Sequence, residues 1–193
     1  MKSLRNYINE KLVINNDYSD DKIVVKSFDE LRKIIEQRYK EHGPGTEKKP
    51  IDFNDIDVSN IDSFCNKNSG IFEETKFEYI DISYWDVSNV KSMLNMFFEC
   101  EELKSVGDLS NWDVSNVEKM NSMFFNCKKL TSIGDLSKWT VSNVEYMASM
   151  FWKCNNLKFV GDLSKWNVSN VKKMRNMFHM CGIKDKYKPK GIK

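Results

Sequence analysis

One 27-residue pattern, written four times without a gap, constrains this chain more than any other feature of it. The copies begin at Asp81, Asp108, Asp135 and Asp162, and the second reads DLSNWDVSNVEKMNSMFFNCKKLTSIG. All share the frame D-[IL]-S-x-W-x-V-S-N-V-x-x-M-x-x-M-F-x-x-C. Asp57-Val58-Ser59-Asn60-Ile61 matches Asp86-Val87-Ser88-Asn89-Val90 at a spacing of 29, with Phe64 standing where Met93 does, so residues 55–80 read as a worn earlier copy. A degenerate first unit is what the end of a repeat array needs. A copy this short cannot bury its own apolar residues and must bury them against its neighbours.

Within a copy, Val117, Met120, Met123, Phe124 and Cys127 fall three, six, seven and ten residues along from the first. That spacing predicts one face of a short helix. Ser115 stands where an N-cap belongs, with Glu118 completing a capping box, and Ser142 with Glu145 does the same in the third copy. Leu130-Thr131-Ser132-Ile133 predicts a short strand closed by Gly134. The expected fold class is therefore an α/β repeat solenoid, a leucine-rich-repeat-like stack of strand–turn–short helix units of 27 residues with an N-terminal helical cap. Its core would hold like residues in columns: Trp85, Trp112, Trp139 and Trp166; Met93, Met120, Met147 and Met174; Met96, Met123, Met150 and Met177; Phe97, Phe124, Phe151 and Phe178. Asn89, Asn116, Asn143 and Asn170 would form a further ladder, their amides satisfying turn backbone groups.

The W-x-V-S-N-V-x-x-M-x-x-M-F-x-x-C-x-x-L frame resembles the BspA-like leucine-rich repeats of bacterial surface proteins and lipoproteins. The resemblance spans roughly residues 81 to 182 and implies a leucine-rich-repeat-like solenoid with a role in adhesion or protein binding. Surface members carry an export signal, and Met1 to Asn16, MKSLRNYINEKLVINN, shows no apolar stretch of that kind. MKSLRNYINEKL also resembles the start of short repeat proteins of gut bacteria and their phages. The missing export signal, together with the lack of any run of about 18 apolar residues, leads us to expect a cytoplasmic protein that does not enter a membrane, the extracellular location implied by the family being the alternative.

Three segments follow. Residues 1–54 form a helical cap or docking segment; 55–182 hold the repeats; 183–193 are a basic tail. In the first, Leu4, Tyr7, Ile8 and Leu12 suggest one amphipathic helix. Ser27-Phe28-Asp29-Glu30 is a capping box that opens a second, with Leu31, Ile34, Ile35 and Arg38 at helical spacing and Gly43-Pro44-Gly45 ending it.

Catalysis requires a cluster of acid, base or nucleophile groups. The two histidines, His42 and His179, have no evident partners. Cys100, Cys127, Cys154 and Cys181 recur one per copy beside core Phe and Leu positions, which suits buried thiols rather than metal ligands. Asp81, Asp108, Asp135 and Asp162 give one carboxylate per copy, which suits turn hydrogen bonding rather than calcium. The chain is expected not to be an enzyme and to need no cofactor or metal.

Binding is better motivated. Phe98, Phe125, Trp152 and His179 follow the core Phe in each copy and stay large. They either pack between copies or form an exposed stripe that anchors a protein. Charge also drifts along the chain. Residues 55–80 hold six acids and two bases, whereas 162–193 hold two acids and nine bases, among them Lys172, Lys173 and Arg175. The basic end is a solubilising surface, a dock for an acidic protein or nucleic acid, or half of a head-to-tail self-association. The function expected is a protein-binding repeat module, an inhibitor or adaptor of phage or mobile-element origin. A surface adhesin module, and nucleic-acid binding or self-assembly through the basic end, are the alternatives.

Overall fold

The computed structural model describes residues 22–190, and within them no copy of the 27-residue pattern contains an α-helix. The expectation of an α/β solenoid of strand–turn–helix units with a helical cap is therefore corrected. The described residues hold a single α-helix, six strands of two residues each in three separate two-stranded sheets, and three short 3-10 helices.

The reason lies in the backbone. Asn95 and Glu99, Ser122 and Asn126, Ser149 and Lys153, and Asn176 and Met180 all take left-handed φ values, between 53° and 62°. Two such residues four apart stop any right-handed helix, which has no place for a positive φ. The segment becomes a run of turns. Met123, Phe125 and Cys127 donate their N–H groups three residues back, to Met120, Ser122 and Phe124. The intervening N–H groups reach into the next copy instead. Met120, Ser122, Phe124 and Asn126 donate to the carbonyls of Tyr146, Ala148, Met150 and Trp152 at 2.7–3.0 Å. The same four bonds recur from Met93, Asn95, Phe97 and Glu99 and from Met147, Ser149, Phe151 and Lys153. No capping box forms in the copies. The Glu118 and Glu145 N–H groups donate to Lys91 and Glu118 carbonyls, and Ser115 N–H is held by Asp113 at 3.0 Å. The predicted strand is likewise reduced to single parallel bridges, Tyr79 to Ser105 to Ser132. A second set of bridges runs from Ser63 through Ser92, Lys119 and Tyr146 to Lys173.

Like side chains do meet. The Phe97, Phe124 and Phe151 rings lie 5.1–5.7 Å apart and within 6° of parallel. Trp112, Trp139 and Trp166 follow one another at 6.4 Å. Each Trp also donates its indole N–H to a carbonyl of the preceding copy, as Trp139 does to Leu109 at 2.9 Å. Burying one such side chain stabilises by roughly 1.5–3 kcal/mol before entropy. The asparagine column binds as its spacing suggests: Asn116, Asn143 and Asn170 donate to the carbonyls of Ser88, Ser115 and Ser142 at 2.7–2.8 Å.

The helix α1, Phe28–His42, begins at Ser27, whose hydroxyl accepts from Glu30 N–H at 3.2 Å. The Glu30 carboxylate takes the Lys26 N–H rather than that of Ser27. Gly43, at φ 72°, ends the helix by donating to the Tyr39 carbonyl. Leu31, Ile34, Ile35 and Arg38 are buried. Arg32 donates to the Gly70 and Ile71 carbonyls, and Arg38 pairs with Asp55 at 2.7 Å and lies over the Phe53 ring. Three parallel or antiparallel pairs complete this end: β1 (Ile23–Val24) with β3 (Ile56–Asp57), β2 (Ile51–Asp52) with β6 (Ile80–Asp81), and β4 (Cys65–Asn66) with β5 (Ser69–Gly70). The helix suggested by Leu4, Tyr7, Ile8 and Leu12 lies outside the described residues. No described helix is long and apolar enough to cross a membrane.

Candidate interaction surface

The turn geometry fixes the aromatic column. Phe98, Phe125, Trp152 and His179 each stand one residue after a buried Phe, and so on the outer side of the same turn. The rings form one continuous file. Phe98 and Phe125 stack at 4.8 Å and 10°, Phe125 and Trp152 lie 5.6 Å apart, and Trp152 meets His179 edge-on at 4.9 Å. Phe98, Phe125 and Trp152 are half-buried and His179 is exposed. One flank of the file therefore packs on the protein and the other faces solvent. The Trp152 indole N–H is buried without a hydrogen-bond partner among the described residues.

The three basic residues sit apart from one another in role. Lys172 pairs with Glu145 of the preceding copy at 2.7 Å. The Lys172 and Lys173 ammonium groups both lie 6.0 Å from the Tyr146 ring centre. Arg175 is exposed and has no ion pair among the described residues. Other pairs join successive copies: Glu78 with Lys104, Glu101 with Lys128, and Glu102 with Lys129. The drift of charge along the sequence is thus partly spent between neighbours. Each such exposed pair contributes about 0–1 kcal/mol.

Three of the four repeated cysteines are buried, and the repeated aspartates are tied into turns. Cys100, Cys127 and Cys154 are buried and donate S–H to the carbonyls of Phe72, Phe97 and Phe124 at 2.9–3.1 Å. Burial pushes the Cys100 thiol up to about 12 and the other two well above the ordinary thiol range. The attacking species of cysteine chemistry is the thiolate, which these sites disfavour. Asp135 and Asp162 accept from the N–H groups of Ser137 and Ser164, at 2.9 and 3.0 Å. Bonds to Ser137 and Ser164 hold both carboxyls below their usual range. No three potential metal ligands cluster among the described residues.

Sequence reasoning missed Tyr146, the platform beneath the two lysines. It also missed Phe159, 52% exposed and edge-on to Tyr187 at 5.2 Å, and Tyr84, 76% exposed. Their signal was present as a break in column. Phe159 stands where Ser105 and Ser132 stand, and Tyr146 where Ser92 and Lys119 do.

These features define a repeat protein whose outward-facing chemistry is aromatic and ionic. Residues 49–188 match the family described as Mycoplasma protein of unknown function, DUF285, and the chain belongs to that family. No curated protein and no solved structure matches it.

Proposed function

We propose that the chain is a non-enzymatic module that binds another protein along the aromatic file of Phe98, Phe125, Trp152 and His179. The observation that carries this reading is the file itself. Three aromatic side chains lie ring against ring at 4.8 and 5.6 Å, each partly exposed along one line, so a partner finds apolar area already gathered in one place. The protonated thiols and turn-bound carboxylates favour binding over catalysis. An inhibitor or adaptor of phage or mobile-element origin is the role we favour.

The test is a pull-down from host lysate with the unaltered chain and with F125S/W152S, each checked for folding by circular dichroism. A partner captured by the first and lost from the folded variant supports the reading. A partner held equally by both, or no partner at all, sinks it.

A second reading rests on the repeat frame. Its likeness to BspA-like repeats makes adhesion at a bacterial surface the alternative role, and surface proteolysis of intact cells discriminates. Cleavage of the chain by external protease supports adhesion, and full protection removes it.

A further inference from the structure

The bonds between copies have a direction. Each copy offers four alternate N–H groups to its successor, which supplies four carbonyls. In the fourth copy the equivalent donors are Met174, Asn176, Phe178 and Met180, and none has an acceptor among the described residues. The Lys172 carbonyl, equivalent to the Lys91, Glu118 and Glu145 carbonyls that each accept from the following copy, is also unmet there. Side chains report the same change. Val141, Val144 and Met147 are at most 2% exposed, while their counterparts Val168, Val171 and Met174 are only partly buried. A cleft of about 510 Å³ lies beside this edge, lined by Asn176, Phe178, His179, Asp185, Lys188 and Pro189, with the Lys188 ammonium 5.4 Å from the Phe178 ring centre.

We propose that this edge is a docking site for an extended acidic segment of a partner protein, added in parallel register as each copy is added to the one before. The edge is rich in donors, so its occupant must present alternate backbone carbonyls, which an extended chain does. Charge selects an acidic one. Lys173 and Arg175 alternate with the donors Met174 and Asn176 along the chain, and residues 162–193 hold nine bases against two acids. A second copy of this chain does not fit. Two donor rows facing each other cannot pair. The carbonyl row at the other end is taken, since Ser92, Met96 and Phe98 already accept from Phe64, Phe72 and Glu74. The cleft shares His179 with the end of the aromatic file, but the docking site uses the backbone N–H row rather than the rings of Phe98, Phe125 and Trp152.

The probe is a fluorescein-labelled, acetylated and amidated peptide of about ten residues alternating glutamate with valine and threonine. It is titrated into the full chain by fluorescence anisotropy, and amide hydrogen exchange is followed with and without it. The expected result is saturable binding, slowed exchange at Met174, Asn176, Phe178 and Met180, and a loss of roughly tenfold or more in affinity for K173E/R175E. The same peptide with lysine in place of glutamate should not bind. Absence of binding, binding without protection of those four amides, or a single-stranded oligonucleotide that binds there more tightly than the peptide would each overturn the proposal. So would a salt-sensitive dimer of the chain in light scattering.

Discussion

The two ends of the repeat region are finished differently. At the front, α1 and β1 lie over the worn copy, and Leu31, Ile34, Ile35, Ile56 and Val58 are at most 1% exposed. At the back, the tail covers only part of the last copy. Ile183 is 3% exposed and Tyr187 packs on Phe159, yet Val168, Val171 and Met174 keep solvent contact. The covering segment at the front is the part of the chain that departs furthest from the repeat.

The comparison is easiest to break with core deletions. Ile34→Ala or Leu31→Ala at the covered end should cost about 2–5 kcal/mol, whereas Val168→Ala or Val171→Ala should cost less than about 1.5 kcal/mol, both read from urea unfolding. Equal losses at the two ends would show that the back is as well covered as the front. Amide exchange sharpens it further. Met93, Met120 and Met147 should exchange at least about a hundredfold more slowly than Met174, because only the first three donate to a following copy.

Thiol alkylation gives a smaller contrast. Iodoacetamide under native conditions should modify Cys65 and Cys181, which are only partly buried, and spare Cys100, Cys127 and Cys154. Mass spectrometry that found Cys127 modified as early as Cys181 would contradict the burial described. Acid should have the mildest effect. Bonds to Ser115 hold the Asp113 carboxyl below its usual range, as those to Ser137 and Ser164 do for Asp135 and Asp162. A carboxyl whose folded pKa is depressed stabilises above its unfolded pKa of about 3.9, and that contribution fades as pH falls through the folded value. The urea midpoint should therefore decline below about pH 4, and less steeply in the D113N variant.

Much of the side-chain order was legible in the sequence, and the backbone that produces it was not. Columns of Trp, Phe and Asn follow from the period alone, because any arrangement that sets copies against one another aligns them. The helix at Phe28–His42 was legible because Ser27 and Glu30 mark its start and Gly43 its end. The expected helix in each copy failed because apolar residues three and four apart also suit a run of turns. The decisive residues were the ones between them: Asn95, Ser122, Asn126, Ser149 and Asn176 are turn formers, and they sit at the left-handed positions. The aromatic file was visible as a column, but its half-burial depends on which side of a turn each ring stands. That the fourth copy's donors lack acceptors among the described residues was invisible, since a hydrogen-bond direction is not written in residue types.

The glycines at the ends of the copies add a last consequence. Gly107, Gly134 and Gly161 take φ values of 87–89°, and a Cβ on any of them would run into the carboxylate of Asp81, Asp108 or Asp135, the residue that opens the same copy. Each glycine and aspartate thus form a seam at which one copy closes and the next begins. Cutting and rejoining the coding sequence at two such seams, in frame, removes or adds a whole unit and leaves every remaining glycine facing its aspartate. A chain with one copy more or one fewer, joined at these seams, should therefore keep the same closure in every unit.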